Sequence, residues 1–281
     1  MNDAAPRRIW LCADDYGLSP GVNRAIRDLI ERGRLNATSV MVVAPAIGRA
    51  EVSALQAAAA KSPRCAIGLH VTLTAPFRPL TMHFKPIDGG MFVAFPKLLR
   101  AGLLRRLDPE IIHAEVMVQL SAFAEIFGRT PDFVDGHQHV QLFPQVGEAL
   151  LAAVKAAAPG AWVRQGGRNH VLRARRLWTP KALVLDVLSA QFRRRASRAN
   201  IAFNPGFAGV YDFSRPSDFG SLMRQFLEGL PEGGVIMCHP GFVDDTLLSL
   251  DPLTTAREQE HAFLGGENFP RLLAANNVTL R

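Results

Sequence analysis

Short apolar runs alternate with longer amphipathic stretches along almost the whole chain. The runs IWLCA (9–13), TSVMVVA (38–44), AIGLHVTL (66–73), DFVDG (132–136), AWVRQ (161–165), IAFN (201–204) and GVIMCH (234–239) are brief and rich in β-branched residues. They read as buried strands rather than helices. Between the first two lies SPGVNRAIRDLIERGRL, with Ser19 as N-cap, Pro20 in the first turn and Gly33 past the last one. That is the punctuation of a helix. Further helices are predicted from Asp108-Pro109 to Gly128, over FPQVGEALLAAVKAAAPG, over TPKALVLDVLSAQFRRR and over RPSDFGSLMRQFLEGLPEGG. About seven strands, each followed by a helix, predict a parallel α/β fold, either a closed (β/α) barrel or an open doubly wound sheet. No GxGxxG follows the first run, which argues against a dinucleotide-binding fold. Residues 74–107 are less regular and read as an insertion or lid within a single domain spanning 1–281.

Composition adds bounds. The 281 residues are 48% hydrophobic and 20% charged, an ordinary globular balance. No apolar run approaches the ~20 residues needed to cross a bilayer, and MNDAAPRRIW lacks a signal-peptide layout, so the cytoplasm is expected. Cys12, Cys65 and Cys238 have no CxxC spacing and predict neither disulfides nor a thiolate metal site. The net charge of +7 is concentrated: residues 164–198 hold ten Arg and Lys against one acid, Asp186. Such a segment can attract phosphate, anionic lipid or nucleic acid. Without interleaved aromatics it reads as a solvated helix face, and no nucleic-acid partner is expected.

The candidate chemistry sits at the ends of the apolar runs. The first ends in Asp14-Asp15, two carboxylates that disfavour each other's ionisation unless a cation, a proton or a donor offsets them. The third carries His70, the fourth runs into Asp135, His137 and His139, and the seventh delivers His239. In parallel α/β folds these strand ends converge on one face. In an extended segment His137 and His139 would point the same way and Gln138 the opposite way. A lone histidine or an HxH pair is a weak signal, but a carboxylate with two imidazoles is the ligand set of a hydrolytic divalent-metal site. His83, His113, His170 and His261 lack such placement and read as surface or structural residues.

ADDYGLSPGVNRAI, GLHVTLT, DGHQHVQLFP and MCHPGFVDD, in this order and spacing, resemble the YdjC-type carbohydrate deacetylases, also called the ChbG/HpnK family. The resemblance covers roughly residues 8 to 250. It implies a distorted (β/α) barrel, one divalent metal ion (Mg2+ or Zn2+), and removal of N-acetyl groups from amino sugars. By the same resemblance Asp15, His70 and His137 match the metal positions, and Asp14 and Asp15 the acidic pair that supplies the general base. His239 matches a candidate acid for the leaving amine, His139 a further histidine of the site, and Arg164 an arginine that could hold a substrate oxygen. Tyr16 stands where relatives often have Phe, and Gln138 where many have a third histidine. The implied substrates are chitooligosaccharides or sugar-bearing lipids. The basic segment and Phe77, Phe84, Phe92 and Phe95 of the insertion would suit an anionic or lipid-linked glycan, and a homodimer would fit the family. Two other readings are a metal-dependent phosphoesterase on a similar barrel, which needs ligands for two metals, and a non-catalytic glycan- or lipid-binding protein.

Overall fold

The computed structural model describes residues 5–61, 65–167, 180–213 and 218–280. In chain order the strands are β1 (Arg7–Tyr16), β2 (Ala37–Val40), β3 (Ala66–Val71), β4 (Ile87–Asp88), β5 (Met91–Phe92), β6 (Phe133–Gly136), β7 (Trp162–Val163), β8 (Phe207–Ala208), β9 (Val235–Cys238) and β10 (Val278–Leu280). The helices are α1 (Pro20–Glu31), α2 (Arg49–Lys61), α3 (Phe95–Leu103), α4 (Pro109–Phe127), α5 (Pro144–Ala157), α6 (Pro180–Arg198), α7 (Phe219–Leu227), α8 (Asp245–Leu250), α9 (Thr255–Gly265) and α10 (Asn268–Ala275). A 3-10 turn covers His137–Leu142.

Parallel strands pair in the order β7-β6-β3-β2-β1-β9-β8, with β10 also on β1. At the far edge Val163 makes one parallel bridge to Phe203, and the chain continues from there into β8 at the opposite edge. The sheet therefore curls into a distorted (β/α) barrel closed by a bridge rather than a full ladder. Its interior is a compact cluster in which Cys12, Ala37, Ala66, Phe133, Phe207 and Val235 each come from a different strand. The Trp10 and Trp162 rings stack on each other with centroids 6.2 Å apart and pack against this cluster. Gly68 makes room for it, because a Cβ there would meet the Phe133 ring at 2.5 Å. The larger apolar cluster packs between sheet and helices.

Local signals explain most boundaries. Ser19 accepts from the Val22 amide at the start of α1, Asp108 caps α4, and Gly128 ends α4 in the left-handed region. Other boundaries differ from the sequence reading. The second run stops at Val40, because Met41 opens a turn in which the Ala44 amide donates to the Met41 carbonyl. No ladder forms over 201–204. The Asn204 side chain takes up the backbone of Gln165 and Gly206 instead, and Pro205 has no amide to donate. β10, unforeseen, is three residues long and pairs with Arg7, Arg8 and Ile9. Within 74–107 a β4–β5 hairpin and α3 fold over buried Phe77, Phe84 and Phe92.

Among the described residues no helix is long and apolar enough to cross a membrane. Of the basic segment, Arg168, Arg173, Arg175, Arg176 and the Lys181 side chain lie outside what is described, as does His170. Cys12 and Cys238 are free and buried, and burial pushes both thiols well up.

Candidate metal centre

The acidic pair lies inside β1, at a bulge. Ala13 pairs with Thr38 and Tyr16 with Val40, so β1 carries one residue more than β2 across this interval. Asp15 takes it up with a φ of 70°. Adjacent residues of a regular strand face opposite sides. The bulge breaks that alternation and lets both carboxylates line the same cavity.

Asp15 is the hub. Its Oδ1 lies 3.1 Å from His137 Nδ1 and 3.3 Å from His70 Nε2, while its Oδ2 accepts from Arg257 at 2.7 Å. One ligand atom from each of Asp15, His70 and His137 falls within 4.8 Å of the others. His70 Nδ1 is 2.6 Å from Asp135 Oδ1. A carboxylate only accepts, so Nδ1 carries a proton and Nε2 is left facing Asp15, the arrangement seen behind metal-bound imidazoles. Burial opposes charge on His70, but Asp135 and Asp14 outweigh it and hold its pKa up at about 10. Burial would also raise Asp15, yet Arg257 and the two imidazoles keep it well below the usual carboxylate range. A divalent cation suits this donor set, because it can replace the proton that two imidazoles and a buried carboxylate otherwise share.

Asp14 is held differently. Arg164 donates to both of its oxygens at 2.6 Å and also lies 3.0 Å from Asp135. Burial favours the neutral acid, but Arg164 overrides it and Asp14 stays ionised. Arg164 is 1% exposed and does not line the cavity. The guanidinium that the sequence reading offered to a substrate oxygen is instead paired with Asp14.

The HxH segment also departs from expectation. Extended structure ends at Gly136, and Gln138 and His139 both adopt left-handed φ, 55° and 60°, within the 3-10 turn. Simple alternation does not apply, and Gln138 lines the cavity instead of facing away. His137 reaches Asp15, whereas the His139 ring stands edge-on to Phe207 with its Nδ1 unpartnered. Burial and the nearby Arg164 push His139 down to about 3. His239 also leaves Nδ1 unpartnered, and burial lowers its pKa. Its amide donates to Glu260, whose other oxygen accepts from Tyr211 at 2.7 Å.

These groups floor a cavity of about 620 Å3 whose walls are mainly apolar, including Phe95, Leu99, Val184, Leu188, Val210 and Phe213. Arg257, Asp251 and Glu260 were missed from sequence. Arg257 is fully buried and bridges Asp15 to Asp251, each at 2.7 Å. Arg257 and Glu260 sit three apart on α9, one face of a helix, but TAREQEH looks like a solvated surface.

A family model described as YdjC-like protein matches residues 8–275. Chitooligosaccharide deacetylases of Yersinia pestis and Yersinia pseudotuberculosis are 32% identical over 243 residues, 84% of this chain and 83% of theirs. Among solved structures, an Enterococcus faecalis V583 protein named for cellobiose-phosphate cleavage has a TM-score of 0.77 at 19% identity, covering 99% of this chain and 97% of its own. The Xyl-CE4 domain of a xylanase from the hindgut metagenome of Trinervitermes trinervoides reaches 0.50 at 11% identity, covering 98% and 87%. At these identities both establish the shared fold.

Proposed function

The chain belongs to the YdjC-like family, and from that premise we propose that it is a metal-dependent hydrolase that removes an N-acetyl group from an amino-sugar substrate. One observation carries the reading. Asp15, His70 and His137, from three different strand ends, bring a carboxylate and two imidazoles within 4.8 Å beside the ionised Asp14. A divalent ion held by those three, Mg2+ or Zn2+, would polarise the acetyl carbonyl and lower the pKa of a water.

The chain's own groups supply the proton transfers. Asp14, fixed in plane by the Arg164 fork, takes the proton of the attacking water as its oxygen bonds to the carbonyl carbon. When the C–N bond breaks, His239 gives a proton to the departing amine, and the products are acetate and the free amino sugar. With its pKa lowered by burial, His239 rests as the neutral imidazole, and the proton it delivers to the amine is the one the water gave up to Asp14, so the step draws on no outside acid. Asp135 and Arg257 keep His70 and Asp15 in register. His139 and Gln138 are the polar contacts offered to the sugar.

The names of the Yersinia relatives support a chitooligosaccharide-like substrate. The apolar walls support a glycan that also carries a lipid or another apolar group. A two-metal phosphoesterase fits less well: the second group with ligand geometry, Cys12, Asp14 and Asp135, has the Arg164 guanidinium within it. The test is acetate release from N-acetylated chitooligosaccharides before and after treatment with a chelator. Turnover should vanish with the metal and return with Mg2+ or Zn2+; turnover indifferent to chelation refutes the proposal.

A further inference from the structure

Two helices border the mouth of the cavity. Phe95 and Leu99 of α3 and Val184, Leu185 and Leu188 of α6 all line it. Both helices pack on α5. Glu148 of α5 lies 3.8 Å from Arg105, just beyond α3, and 3.0 Å from Arg195 of α6. The helices are thus two parts of one rim.

That rim turns aliphatic side chains outward. Leu183, Val184 and Val187 of α6 are 46%, 41% and 51% exposed, and Leu103 and Leu104 at the end of α3 are 49% and 51% exposed. Exposed arginines stand among them: Arg100 and Arg106 on one side, Arg194 and Arg198 on the other. The acids nearby lie at the rim's border, where Glu148 pairs with Arg105 and Arg195 and Asp88 with Lys97. Residues 95–107 contain no acid, and Asp186, the one acid of α6, is buried. Aliphatic groups interspersed with arginine suit a bilayer interface, where the former enter the acyl boundary and the latter meet lipid phosphates. A nucleic acid would engage the arginines and leave five large aliphatic side chains in water.

We propose that this rim docks the protein on an anionic lipid bilayer, with the cavity opening toward the headgroups. The surface involves none of the groups assigned to the reaction, so it can fail while the deacetylase reading stands, and the reverse.

The test is co-sedimentation of the full chain with vesicles of phosphatidylcholine alone and of equal parts phosphatidylcholine and phosphatidylglycerol. Binding should be roughly tenfold or more tighter to the anionic vesicles and should weaken with salt. Leu183→Asp with Val187→Asp should weaken it about tenfold, and Arg194→Glu with Arg198→Glu should do the same. All four side chains project from the surface, so circular dichroism and acetate release from a water-soluble sugar should be unchanged. Failure of the native chain to sediment with anionic vesicles overturns the proposal. So does binding that the aspartate pair leaves intact and duplex DNA competes away, which would identify a general polyanion site.

Discussion

Arg164 closes on Asp14 through two parallel bonds of 2.6 Å, with both side chains at most 2% exposed. A buried guanidinium–carboxylate fork fixes a carboxylate's plane and keeps it ionised, and each partner depends on the other for neutrality. Arg164→Ala would leave Asp14 and Asp135 buried without their cation, at a cost of about 3–5 kcal/mol. Arg164→Lys keeps the charge but loses the fork, and should remain folded with a lower kcat and a nearly unchanged KM. Thermal melts of both variants, with steady-state kinetics on the lysine form, check this; a lysine variant with full kcat would show that the fork is dispensable.

Asp135 touches the proposed metal site only through His70. Asp135→Asn should therefore weaken metal affinity about 10–100-fold without abolishing it, whereas His70→Ala should leave the chain with essentially no bound ion. Competition with a chromophoric chelator measures the first effect and elemental analysis the second. Equal affinity in the asparagine variant would remove Asp135 from the account.

Glu260 links stability to pH. Burial raises its pKa from 4.5 to about 7, so the folded state binds its proton more tightly than the unfolded state does. Its contribution is fully present below about pH 4.5 and is lost as pH rises through about 7, a span worth on the order of 3 kcal/mol. Glu260→Gln should flatten that part of the stability profile, measured as urea midpoints across the same range. Parallel profiles for variant and native chain would contradict the assignment.

Arg257 holds one oxygen of Asp15 and leaves the other to the imidazoles. Arg257→Gln frees a buried charge and should reduce both thermal stability and metal affinity. Arg257→Lys should recover part of the stability. Metal titrations followed by calorimetry read the second effect, and unchanged affinity in a folded glutamine variant would rule out a positioning role.

Much of the site was visible in the sequence because polar residues stood out against apolar strands. Asp14, Asp15 and His70 each interrupt or end such a run, and the parallel topology carries strand ends to one face. What the pattern could not convey was local backbone. The bulge at Asp15 and the left-handed residues Gln138 and His139 break the two-residue period on which strand reasoning depends. Arg257 was hidden for another reason. A helix rich in Arg, Glu and His looks exposed, and only the packing of α9 against α1, α7 and α10 turns Arg257 inward to reach Asp15.

The most direct test of the account compares acetate release and bound metal in the native chain, Asp14→Asn and His70→Ala, on an N-acetylated chitooligosaccharide. Asp14→Asn should keep its ion but lose about 10²–10⁴-fold in kcat, while His70→Ala should lose ion and turnover together. Native-like turnover in Asp14→Asn, or no acetate from the native chain with either Mg2+ or Zn2+, would contradict it.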